Sequence, residues 1–162
     1  MPKATVMRTR LSLLFVFCFL CQPVTGTTTP WPATPSHTSL QTPYGVLEVH
    51  GSDYVYESYL LFNGKRLEPD IQGIINITYA YQVGKARVIL IAVDTGDSTC
   101  AISYRWMTIR QDGYRLTAPF GSCSASIRVT IHGKQFVLNT PNPDKVNAID
   151  TWIFDGRTVR RR

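Results

Sequence analysis

Short glycine-centred turn signals divide this 162-residue chain into runs that suit strands and little else. Asn63-Gly64, Gly84-Lys85, Asp112-Gly113 and Gly133-Lys134 each separate two stretches rich in β-branched and aromatic residues. Asn-Gly and Asp-Gly are the strongest of these signals, because a tight hairpin needs positive φ at its centre. Runs of this kind at intervals of about 8–12 residues mark an all-β chain. Strands are expected at 46–49, 54–62, 65–67, 74–81, 87–93, 102–110, 114–117, 127–131, 136–138 and 150–154. Residues 88–93, Val-Ile-Leu-Ile-Ala-Val, are apolar at every position. A strand of that composition is covered on both faces and lies at the centre of the fold. In 74–81, alternation places Ile75, Ile77, Tyr79 and Tyr81 on one face. The expected architecture is an antiparallel meander of about nine strands, closed as a small barrel or packed as a two-sheet sandwich.

The first 26 residues carry a different signature. Lys3, Arg8 and Arg10 precede an apolar run from 11 to 21, and Val24 and Gly26 suit a cut after Gly26. The run is too short to span a bilayer and fits a cleaved export signal. Cys21 offers an alternative lipid anchor. Residues 27–43 are rich in Thr, Ser and Pro, with little apolar surface to offset ordering, and read as an extended, mobile linker. The β-domain is then 44–156, and 157–162 is an Arg-rich tail.

Charge follows this division. The whole chain is +6, and three of its positive charges are Lys3, Arg8 and Arg10. Residues 27–162 hold 14 basic and 11 acidic side chains, and four of the basic ones are Arg157, Arg160, Arg161 and Arg162. The remaining body is close to neutral, so the basic balance does not call for a nucleic-acid groove. The tail would give weak attraction to anionic surfaces.

Two cysteines follow the signal segment, Cys100 and Cys123. An even pair in an exported chain reads as one disulfide. It would staple the open end of the hairpin between them.

Chemistry is sparsely signalled. Ile91-Ala92-Val93-Asp94-Thr95-Gly96 is similar to an aspartic-protease turn, but that reaction needs a second carboxylate. A polar loop carrying Asp94 and Asp97 is the simpler reading, and the two could offer oxygens to a calcium ion. His50 could join Asp94 and Asp97 at one loop site, yet no nucleophile accompanies them and no Gly-x-Ser-x-Gly is present. No metal or cofactor is expected. Tyr54 and Tyr56 share one face of their strand, as do Tyr104 and Trp106; such rings either fill a core or form a contact surface.

The segments Leu60-Leu61-Phe62-Asn63-Gly64-Lys65, Thr99-Cys100-Ala101-Ile102-Ser103-Tyr104 and Phe120-Gly121-Ser122-Cys123-Ser124 give the chain a recognisable texture. It resembles small uncharacterised exported β-rich proteins of Gram-negative bacteria over about residues 45–160. The resemblance implies a periplasmic or surface β-domain and carries no activity. The expected function is a non-enzymatic binding protein of the cell envelope, an inhibitor or immunity-type partner of another envelope or secreted protein. The alternatives are an envelope hydrolase and a structural surface protein.

Overall fold

A computed structural model of the chain describes residues 30–52 and 57–162. The export-signal reading of 1–26, Cys21, Tyr54 and Tyr56 lie outside the described residues. The strands are β1 (Ser39–Thr42), β2 (Gly45–Gly51), β3 (Ser58–Phe62), β4 (Lys65–Arg66), β5 (Gln72–Val83) and β6 (Ala86–Asp94). They continue with β7 (Ile102–Arg110), β8 (Gly113–Leu116), β9 (Arg128–His132), β10 (Gln135–Pro141), β11 (Ile149–Phe154) and β12 (Val159–Arg161). Every pairing is antiparallel. The larger sheet runs β1-β2-β3-β5-β6-β7-β8, with β4 beside β3; the smaller runs β12-β11-β10-β9. Among the described residues, no helix is long and apolar enough to cross a membrane.

The turns form where the sequence places them. At Asn63-Gly64 both residues have positive φ, 52° and 72°, and Phe62 pairs with Lys65 across a two-residue loop. The second hairpin is shifted by one residue: Arg110 pairs with Gly113, so the loop is Gln111-Asp112 and the glycine opens β8.

β6 is the central strand. Val88, Leu90 and Ala92 enter one core with Tyr104, Trp106, Phe136, Leu138 and Phe154. Ile89, Ile91 and Val93 enter a second core with Leu47, Leu60, Ile75, Met107 and Ile109. The first core lies between the two sheets and makes the molecule a sandwich. The second joins β2 to β7, so the larger sheet must curl on itself. β3 and β5 meet through only two residue pairs, Ser58↔Gly73 and Tyr59↔Gln72. Phe62 and Tyr114 touch across the curl, with ring centroids 5.9 Å apart, but the sheet does not close into a barrel.

β5 departs from simple alternation. Its pairing with β6 shifts between Ile77 and Ala80, leaving an extra residue in β5. The bulge reverses the phase of every later side chain. Ile75, Ile77 and Ala80 therefore pack on the curled core, while Tyr79, Tyr81 and Val83 pack on the inter-sheet core. The single face expected for Ile75, Ile77, Tyr79 and Tyr81 is split in two.

The ends of the domain also differ from expectation. Part of the expected linker is strand β1, and His37 pairs with Ile77 of β5. The Ser36 hydroxyl donates to Asn76 Oδ1 at 2.6 Å, and the Arg128 guanidinium lies 5.3 Å from the Trp31 ring centroid. A Pro/Thr-rich segment has few apolar side chains to bury, but its backbone can still add to a sheet edge, and Trp31 supplies ring surface. The expected tail is likewise strand β12. Val159 packs against the inter-sheet core, and the Arg162 N–H donates to Thr151 C=O at 2.9 Å.

Candidate functional site

The disulfide joins Cys100 to Cys123, with Cα atoms 4.7 Å apart. The loop after β8 is tied to β7 by more than this bond. Tyr104 and Phe120 exchange both backbone hydrogen bonds, at 2.7 and 2.9 Å, and the Tyr104 hydroxyl donates to Ser124 C=O at 2.7 Å. Gly121 has φ +126°, and a Cβ there would lie 2.9 Å from the Tyr104 ring, so this close crossing requires glycine.

That packing decides the fate of the predicted aromatic face. Tyr104 and Trp106 are each 1% exposed. Trp106 stacks on Phe154 at 5.3 Å and tilts against Phe136 at 5.2 Å. Alternation correctly puts the two rings on one face. The smaller sheet covers that face, so neither ring is free to meet a partner.

The predicted loop site is not assembled. Asp94 accepts the Gly96 N–H at 2.9 Å, and Asp97 accepts the Thr99 N–H and hydroxyl, each at 2.8 Å. The Thr99 bonds hold the Asp97 carboxyl below its ordinary range. Both acids thus cap their own turns. His50 lies against Tyr59, with ring centroids 5.3 Å apart. No hydrogen bond or ion pair links His50, Asp94 and Asp97, and no group of three or more His, Cys, Asp or Glu among the described residues could hold a metal ion.

The four tail arginines separate. Arg161 donates to Asp150 at 2.8 Å and lies over the Trp152 ring at 5.6 Å. Asp150 also accepts from Asn142 at 2.9 Å and from the Ser122 hydroxyl. The Ser122 bond leads in holding the Asp150 carboxyl down to about 2; burial works the other way, and Arg161 and Asn142 add to the lowering. This clasp joins β11, β12 and the disulfide loop. Arg160 pairs in register with Ile153, so its side chain faces away from the core, and Arg162 ends the chain exposed. Arg157 sits in the turn between β11 and β12, whose backbone N–H groups at 157 and 158 are capped by Asp155.

Arg157 shares a cleft with residues that sequence reading passed over. Thr108 and Arg110 at the end of β7, Arg115 on β8, and Gly156 and Arg157 line an open cavity of about 430 Å³ at one end of the sandwich. A second cleft of about 450 Å³ adjoins it, lined by Tyr44, Val83, Lys85, Ala86 and Arg110. Arg110 and Asp112 line both. The strands explain the assembly. Thr108 and Arg110 continue the β7 face that carries Tyr104 and Trp106; Thr108 is still buried, and Arg110 at the strand end is exposed. The β11–β12 turn then brings Arg157 alongside.

Arg110, Arg115 and Arg157 are exposed, and no guanidinium of the three makes a salt bridge within the described residues. The described residues lining the two clefts include four cations, these three and Lys85, and one acid, Asp112. Such a cluster suits a carboxylate or phosphate, which a guanidinium can hold through two parallel hydrogen bonds. The signal in the sequence was the placement of Arg110 and Arg115 on either side of a hairpin turn. No known protein family, curated protein or solved structure matches this chain, so its fold and site rest on its own geometry.

Proposed function

We propose that this chain is an exported, non-enzymatic binding protein of the cell envelope, which docks an acidic surface of another envelope or secreted protein at the basic end of its sandwich. The observation that carries the reading is the cleft of Arg110, Arg115 and Arg157, three guanidinium groups that make no salt bridge among the described residues and outnumber the one acid lining the cleft, Asp112. The stapled two-sheet body supports it by holding these side chains on hairpin ends rather than on long loops. An inhibitor or immunity-type role fits a small rigid domain of this kind, and segment 1–26 would provide the route of export.

Polyglutamate is the probe that tests this reading. At about 50 mM salt the protein should bind it, and raising the salt to about 0.5 M should weaken binding strongly, because exposed charges are screened over a few ångströms at that strength. Arg110→Glu should reduce affinity by about tenfold or more, since it removes one attraction and adds one repulsion. Equal binding by wild type and variant would contradict the reading.

A further inference from the structure

The two clefts that share Arg110 differ in character, and this difference narrows what the acidic partner presents. We infer that the docked element is a short peptide segment in which a large apolar side chain stands beside a carboxylate. The apolar side chain enters the cleft between Tyr44, Val83 and Ala86, and the carboxylate rests on Arg110. The inference depends on the proposed function and specifies its partner.

The walls of the second cleft carry the argument. Val83 and Ala86 are a cross-strand pair at the end of the β5–β6 hairpin, so they point to the same face and form an apolar floor one pair wide. The Tyr44 ring bounds the cleft. Its hydroxyl donates to Lys85 C=O, fixing the ring against the hairpin before any ligand arrives. A pre-set wall lowers the ordering cost of binding. A protein partner can present an apolar side chain and a carboxylate side by side on one peptide segment, which matches an apolar Val83–Ala86 floor next to the Arg110 guanidinium. Lys85 and Arg110 on the rim require a negative charge next to the apolar group.

The test compares two acetylated peptides, Glu-Phe-Glu and Glu-Ser-Glu, by titration calorimetry. The Phe peptide should bind roughly tenfold more tightly, the range expected for partial burial of one aromatic side chain. Gln111→Trp, which places a ring in the cleft from an exposed wall position, should remove the preference and leave the Ser peptide unchanged. Val83→Ser, at a partly buried position on the rim of the inter-sheet core, should reduce the preference severalfold, with retained circular dichroism and thermal melting showing that the fold survives the smaller side chain. Equal affinities for the two peptides, with polyglutamate still bound, would overturn this inference and leave the proposed function standing. Loss of binding to both peptides and to polyglutamate would overturn the two together. Binding to phosphatidylglycerol vesicles that Gln111→Trp abolishes, with no preference between the peptides, would replace the peptide with a lipid and overturn the assignment.

Discussion

Replacing Cys100 and Cys123 together with serine lowers the stability of the domain by about 3 kcal/mol. The disulfide joins residues 23 positions apart. The loop it closes contains all of β7 and β8, whose residues enter both cores. Without the bond the unfolded chain regains the freedom of that loop, while the folded state keeps its other ties, the Tyr104–Phe120 bridge and the Tyr104 hydroxyl on Ser124. Thermal melting should therefore fall by roughly 10–15 °C and remain cooperative. Wild type in strong reductant should approach the same midpoint. An unchanged midpoint in the double variant would show that the noncovalent ties alone hold the loop.

The second large effect lies at Asp150, which is 7% exposed and accepts from Ser122, Asn142 and Arg161. Asp150→Asn should cost about 2 kcal/mol at neutral pH, because a charged acceptor is lost among donors placed for it. The direction with pH follows from the depressed carboxyl. Its ordinary value is 3.8 and its folded value about 2. The unfolded chain therefore takes up the proton first as pH falls. The stabilisation is complete above the ordinary value and is lost as pH drops toward and through about 2. Asp70, Asp97 and Asp155 are also lowered by their hydrogen-bond partners and give wild type and variant the same background slope. The difference between the two urea-melting curves, measured from neutral pH to pH 2, isolates Asp150; it should shrink across the acid window. A constant difference would place the effect in packing rather than charge.

The parts of this fold that are legible in the sequence are those set by local chemistry. The Asn63-Gly64 turn announces itself because few other pairs tolerate its backbone. The run 88–93 announces a doubly covered strand because no polar residue interrupts it. The paired cysteines announce the staple. Other features depend on contacts between distant segments. β1 and β12 form because sheet edges accept backbone from residues of any composition, which a count of Pro, Thr and Arg does not reveal. The bulge in β5 reverses Tyr79 and Tyr81 without a glycine or proline to mark it. Alternation places Tyr104 and Trp106 together, but only the arrival of the smaller sheet decides that their face is covered.

The candidate site was legible only in fragments. Arg157 stood out as part of a run of tail charge, whereas Arg110 and Arg115 read as strand ends beside a turn. What unites them is the crossing of the β11–β12 turn over the end of β7, a juxtaposition no spacing in the sequence displays. The same folding removes Arg161 from the charge available to a partner by pairing it with Asp150.

The central claim is that an acidic partner docks at the end of the sandwich where these guanidinium groups share a cleft. It is tested most directly by amide NMR of the isotope-labelled protein titrated with triglutamate. The largest saturable shifts should fall at residues 108–115 and 156–157, and Arg110→Gln should weaken the titration severalfold. Shifts centred instead on Arg128 and Arg160, or spread evenly over the basic residues, would contradict the claim.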